Sequence, residues 1–144
     1  MNDIKNIPDF LKSKDIKPSF QRIKIFEYLV EKRNHPTVDM IYSELISSIP
    51  TLSKTTVYNT LKLFIDKKIV SLLTIEENET RYDADTSYHG HFKCLSCGKI
   101  YDIDLTEHIS NNEQLNNMTI LEHHIYFKGY CNKNKQCIQN THKN

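Results

Sequence analysis

At 144 residues, 38% hydrophobic and 26% charged, the chain is long enough for one domain, or two small ones, to bury a core without cross-links. No apolar run nears the length of a membrane span, IVSLL at residues 69–73 being among the longest, and no apolar, cleavable leader is seen, so a soluble, cytoplasmic protein with no membrane partner is expected. The net charge of +1 hides a division: residues 1–70 carry 12 Lys/Arg against 8 Asp/Glu, and residues 71–144 carry 7 against 10, which points to two parts with different partners.

The first half reads as helices. DIKNIPDFLKSK has the apolar scatter of a short peripheral helix. Pro18 marks the start of a second, in which Phe20, Ile23, Phe26, Leu29 and Val30 share one face and Pro36 is the breaker. A third runs through Val38, Ile41, Leu45 and Ile46 and closes at Pro50. The fourth starts behind Ser53 as N-cap. Its Val57, Leu61, Phe64 and Ile65 should face the core, leaving Thr55, Tyr58, Asn59 and Lys62 outside. Then the period changes. IVSLLTIEE and ETRYDAD are two short strands around a turn at Glu77–Asn78–Glu79.

Consecutive helices followed by a two-stranded hairpin give the element order of a winged helix-turn-helix. The outward row of a hydroxyl, an aromatic, an amide and a cation, with no acid, suits a reader of the DNA major groove. An ordinary polar helix face has the same pattern. After a boundary near Asp85 to Tyr88 the composition becomes α+β. HFKCLS, KIYDID and TILEHHIYFKGYC read as strands, and LTEHISNNEQL at residues 105–115 carries a helical pattern. The stretch after Cys137 is polar.

All four cysteines, Cys94, Cys97, Cys131 and Cys137, lie in the second half. In a cytosolic chain such clustering favours metal or redox chemistry over a structural disulfide. Cys94-x2-Cys97 followed by Gly98 has the form of a zinc knuckle, in which the chain turns back sharply and the residue after the turn needs a positive φ. A structural Zn²⁺ takes four ligands, and Cys131 and Cys137 can complete a Cys₄ set. The five residues between Cys131 and Cys137 do not make a second knuckle, and His142 could stand in for Cys137. A redox CxxC pair and free thiols are the other readings. A thioredoxin-type pair would open a helix, whereas this one lies between two strand-like runs.

His89 and His91 are two apart on an expected strand and so point to one face, while Cys94 has the opposite parity. This argues for two separate sites within HGHFKCLSCGK. Asp102 lies on the strand that folds back after the knuckle, Asp83 closes the hairpin, and His35 precedes the third helix. Three imidazoles and two carboxylates would make a sulfur-free site suited to Fe²⁺ or Mn²⁺, with Zn²⁺ possible. Spacing alone does not bring the five together. His35 before a proline could shape a loop, and Asp83 could pair with Arg81 or Lys68. His123 shares parity with Leu121, Ile125 and Phe127 and reads as a core histidine, with His108 and His124 on the surface.

NHPTVDMIYSEL, KTTVYNTLK, RYDADTSYHGHFKCLSCGKIYDID and GYC, in this order and spacing, resemble the ferric uptake regulator superfamily of metal-dependent repressors, from about Pro18 to Cys131. The resemblance implies a winged-helix DNA-binding domain over residues 1–84, a hinge at 85–88 and an α/β dimerisation domain over 89–144. It implies a homodimer on double-stranded DNA with a palindromic operator, contacted by Tyr58 and the start of its helix. It implies structural zinc on Cys94, Cys97, Cys131 and a partner, here Cys137. It also implies a regulatory Fe²⁺ or Mn²⁺ site of His35, Asp83, His89, His91 and Asp102.

Within the superfamily, Asp at position 102 and Asn59 after Tyr58 resemble the peroxide-sensing branch. A mechanism that would follow is reaction of peroxide at bound Fe²⁺ with oxidation of a bound imidazole, here His35 or His89. An iron- or manganese-responsive repressor without peroxide sensing is the alternative. A further metal site of some relatives is not expected, because its positions here hold Tyr88, Gly90 and Ser110, leaving only His123. Two rivals from other classes are a metalloenzyme at the His/Asp set, which lacks an obvious general base, and a zinc-ribbon adaptor. The adaptor would leave Thr55, Tyr58, Asn59 and Lys62 without a role.

Overall fold

A computed structural model describes residues 4–108 and 112–131, and the chain divides into two compact units, one up to Ser87 and one from Tyr88. The first unit contains four helices and a hairpin: α1 (Ile7–Ser13), α2 (Phe20–Lys32), α3 (Val38–Leu45), α4 (Lys54–Asp66), β1 (Ser71–Leu73) and β2 (Arg81–Asp83). Every helix is capped. The side chains of Asn6, Ser19, Thr37 and Ser53 each accept a backbone N–H from the first turn, meeting donors that have no partner inside a helix. Pro18 thus lies just outside α2, before the Ser19 cap. Strands β1 and β2 pair antiparallel, with Leu72 opposite Tyr82.

The core of this unit is one cluster. Ile25, Ile41, Val57, Leu61 and Phe64 are fully buried, and the Phe26 ring meets the Phe64 ring edge-on at 5.5 Å. Two expectations are corrected here. Helix α1 is not peripheral: Leu11 is fully buried and the Phe10 ring stacks on Phe26 at 5.3 Å. Phe20, placed on the core face by the sequence pattern, is 60% exposed, with the Lys24 Nζ 5.9 Å from its ring centroid. Six residues of helix turn a side chain by about 600°, which leaves Phe20 about 120° away from Phe26.

The second unit is built on a three-stranded sheet of β3 (Gly90–Cys94), β4 (Ile100–Ile103) and β5 (Tyr126–Gly129), in the order β4-β3-β5. Strand β4 runs antiparallel to β3 and β5 runs parallel to it. The expected helix over 105–115 is absent among the described residues of that stretch, where Glu113–Leu115 form a single 3-10 turn and residues 109–111 lie outside the description. The strand expected over TILEHHIYFKGYC is shorter, beginning only at Tyr126. That removes the basis for reading His123 as a core residue. With no ladder at 121–125, strand parity does not apply; His123 is exposed and Leu121 is 93% exposed. His108 and His124 are exposed, as expected. The assembly is of the α+β class. Among the described residues no helix is long and apolar enough to cross a membrane.

Candidate metal centres and nucleic-acid interface

The cysteine cluster follows from the sheet. Strand β3 ends at Cys94, Leu95–Cys97 turn, and β4 starts at Ile100. Gly98 adopts φ +72°, the left-handed conformation expected of it, and its N–H donates to the Cys94 carbonyl at 2.8 Å. The Leu95 N–H donates to the Gly129 carbonyl at 2.7 Å, tying the turn to β5. Parallel pairing sets Cys94 opposite Gly129, and Cys131 follows two residues later.

The Sγ atoms of Cys94, Cys97 and Cys131 then lie within 4.8 Å of one another. Corners of a tetrahedral Zn–S site stand about 3.8 Å apart, so these three residues fit zinc with a small contraction. Cys94 is buried, Cys97 exposed and Cys131 half-buried, and none of the three is in a disulfide. Cys137, and His142 beside it in the sequence reading, lie outside the described residues.

Tyr101, which the sequence reading did not single out, reaches the same cluster. Its Oη lies 4.0 Å from Cys97 Sγ and 3.9 Å from Cys131 Sγ. Burial, then its contacts with Cys131 and Cys97, keep the phenol protonated above its ordinary range. Tyr101 is opposite Phe92 in the ladder, so it shares a sheet face with Phe92 and Cys94, while Asp102 shares the other with His91.

On that other face three nitrogen and oxygen donors converge. His91 stands directly across the ladder from Asp102. Nε2 of His89 and Nε2 of His91 each lie 3.5 Å from Asp102 Oδ1, and the two ring nitrogens are 3.0 Å apart. Donors sharing one ion through bonds near 2.1 Å are separated by about 3.0–3.4 Å, so the three fit a common cation. The His89 and His91 side chains are buried, and Asp102 keeps about a third of its side chain exposed.

The first unit holds a second pair of candidate ligands. His35 Nε2 lies 3.5 Å from Asp83 Oδ2, and both side chains are buried. Asp83 Oδ1 also accepts the Asp85 N–H at 2.8 Å, which orients the carboxylate. Arg81, one of the expected alternatives for Asp83, pairs with Glu76 and Glu79, and its guanidinium donates to the His35 carbonyl at 3.2 Å. The next residue, Tyr82, donates its N–H to the Pro36 carbonyl at 3.1 Å. Strand β2 therefore grips the His35–Pro36 loop at three successive positions. His35 needs such a grip, because its φ of +48° is costly for a residue with a Cβ. Arg81 is a positioning residue that periodicity could not reveal.

On α4, the Ser53 Oγ accepts the Thr56 N–H at 3.0 Å. Val57, Leu61 and Phe64 are fully buried, while Thr55, Tyr58, Asn59 and Lys62 are all exposed, Tyr58 by 53%. A large aromatic presented to solvent beside an amide and a cation has the make-up of a recognition face.

The model of the ferric uptake regulator family matches residues 13–128 of this chain. The chain belongs to the ferric uptake regulator family. A peroxide-responsive repressor, PerR, of Staphylococcus epidermidis is 34% identical over 121 residues, covering 81% of this chain and 79% of that protein. The solved ferric uptake regulator of Vibrio cholerae aligns with a TM-score of 0.69 at 26% identity, over 88% of this chain and all of that one. PerR of Streptococcus pyogenes, described in terms of peroxide sensing and gene regulation, aligns with a TM-score of 0.52 at 29% identity over 92% of each chain. This family membership makes the chain a metal-responsive regulator and not an enzyme.

Proposed function

We propose that this member of the family is a cytoplasmic, homodimeric repressor that holds a palindromic operator while metal is bound and releases it on oxidation by peroxide. The observation that carries the reading is the convergence of His89, His91 and Asp102, donors without sulfur, on one point. Such a set selects Fe²⁺ or Mn²⁺ in preference to thiophilic ions, and two carboxylates in the full set offset the +2 charge. His35 and Asp83 complete the ligand set, as the family resemblance implies, and residues 85–88 serve as the hinge between a DNA-binding domain and a dimerisation domain. Zinc on Cys94, Cys97, Cys131 and Cys137 is structural.

Ligation from both domains sets the spacing of the two α4 helices in the dimer. Palindromic half-sites require about 34 Å, one turn of DNA. Thr55, Tyr58, Asn59 and Lys62 then face the major groove. When bound, Fe²⁺ would supply one-electron redox chemistry that activates hydrogen peroxide and would end as Fe²⁺, the net two electrons coming from the imidazole. The imidazole of His35 or His89 gains one oxygen at its C2 carbon, and the peroxide's other oxygen leaves as water. The oxidised ring ligates poorly, the hinge opens and the operator is freed. The relatives named for peroxide response support this over a repressor that senses iron or manganese alone.

The experiment is metal analysis of protein purified without oxygen, with operator binding measured before and after peroxide. Iron-loaded protein should lose DNA and carry one added oxygen on a peptide containing His35 or His89, and manganese-loaded protein should do neither. DNA release with no oxygen on any histidine peptide refutes the oxidation step. Retention of DNA by the iron form assigns the chain to the metal-only alternative.

A further inference from the structure

We propose that the Tyr101 phenol donates a hydrogen bond to the thiolates of the cysteine centre and lowers their reactivity toward electrophiles. This rests on the reading that Cys94, Cys97 and Cys131 hold zinc. Tyr101 Oη lies 3.9 Å from Cys131 Sγ and 4.0 Å from Cys97 Sγ, at the outer limit for hydrogen bonds to sulfur, and while Cys131 is a protonated thiol its S–H is the donor. A zinc-bound cysteine is a thiolate, which has lone pairs and no proton. Between these partners only the phenol can donate, so loading the site fixes the direction of the bond. One O–H serves both sulfurs, directed at either or shared between them.

The backbone sets the face on which Tyr101 lies. Tyr101 pairs with Phe92 in the antiparallel ladder, and Cys94 lies two residues beyond Phe92 on the same face. The Cys94 N–H donates to the Lys99 carbonyl at 3.0 Å, holding the knuckle against the start of β4. Cys97 is the exposed sulfur of the three and the one a reagent meets first. In a protein that meets peroxide at one centre, a second centre built from thiolates is a target for the same chemistry. A lone pair engaged by an O–H is less available for attack. Groups around a metal's ligands tune it in this way without touching the ion.

The test uses the full chain, reduced and zinc-loaded, with Tyr101→Phe, which keeps the ring and removes only the hydroxyl. Iodoacetamide is the electrophile: sulfur attacks its methylene carbon, a sulfur–carbon bond forms and iodide leaves. Alkylation at Cys97 and Cys131 should be about 3-fold faster in the variant. Equal rates overturn the proposal. Replacing zinc by Co²⁺ supplies the spectroscopic readout that a merely structural role would not move. The thiolate-to-cobalt charge-transfer band should shift to lower energy in Tyr101→Phe while the tetrahedral ligand-field bands persist. An unshifted band overturns the proposal. Loss of the tetrahedral pattern would make Tyr101 a direct ligand and overturn it as well. Absence of any thiolate band in the wild-type cobalt protein would instead refute the zinc reading itself, and the inference with it.

Discussion

His91 and Asp102 face each other across the β3–β4 ladder, with the imidazole Nε2 3.5 Å from the carboxylate Oδ1. His89 reaches the same oxygen at the same distance. One carboxylate therefore organises two imidazoles, and Asp102 is the residue whose removal should matter most in this set. Asp102→Ala should weaken Mn²⁺ binding at least tenfold, roughly 1.4 kcal/mol, while leaving bound zinc unchanged. Calorimetric titration with Mn²⁺, alongside zinc analysis, checks this. Simultaneous loss of both metals would show that the two centres are not independent. Asp102→Glu keeps the charge and moves the oxygens, so it should retain metal-dependent DNA binding but respond less to peroxide. An unchanged response would remove Asp102 from the account of sensing.

Arg81 holds the His35 carbonyl from a neighbouring strand and is itself held by Glu76 at 2.9 Å. Arg81→Met removes the grip without touching a ligand. Metal affinity should fall, and stability with it by about 1–3 kcal/mol, because the nearly buried Glu76 carboxylate loses its charge-assisted bond to Arg81. Metal titration and urea unfolding, compared with Glu76→Gln/Arg81→Met, separate the two effects. The double variant should recover stability but not metal affinity.

The exposed face of α4 gives a prediction with a salt signature. Lys62→Ala should weaken binding to all DNA sequences alike and reduce the slope of log K against log salt by about 1. Tyr58→Ala should weaken the operator more than random DNA. Since Tyr58 is 53% exposed, its removal should leave the melting temperature nearly unchanged. A Tyr58→Ala protein that binds operator normally would dismiss this face as the reader.

Two phenylalanines of α2 should behave oppositely. Phe26 is buried and touches the rings of both Phe10 and Phe64. Phe26→Ala should cost about 3–5 kcal/mol in chemical unfolding. Phe20→Ala removes a 60% exposed ring and should cost about 0.5 kcal/mol or less. Comparable losses would mean that Phe20 is covered in solution.

Removing zinc by a chelator under reducing conditions should loosen the second unit selectively. Hydrogen exchange should rise in β3 and β5, which the Cys94–Gly129 register joins, and stay unchanged in α2 and α4. A uniform rise across the chain would show that zinc supports the whole fold.

Much of this was legible in the residues. The α4 periodicity alone separated Val57, Leu61 and Phe64 from Tyr58, Asn59 and Lys62, because one helical period encodes which side meets water. The cysteine spacing and Gly98 announced a tight turn, since only a residue without a Cβ enters φ +72° cheaply. Strand parity separated His91 from Cys94 before any partner was known. Two of the misreadings fall where periodicity has little to act on, Phe20 in the first turn of a helix and His123 in a segment with no ladder, whereas the helical pattern over 105–115 gave no helix among its described residues.

Sequence by itself thus determined the elements, their polar and apolar faces and the types of metal ligand available. Only the tertiary structure decided which ligands meet. His91 finds Asp102 through an antiparallel register, Cys131 finds Cys94 through a parallel one, and His35 finds Asp83 through contacts between a loop and a strand. The physical reason is that the pattern along a chain reports burial within one element, whereas the backbone hydrogen bonds that join elements can form between almost any residues, so a particular pairing is settled only when faces and turns are matched together. Tyr101 shows the consequence: its identity was plain in the chain, but its nearness to two sulfurs exists only once β3, β4 and β5 are aligned.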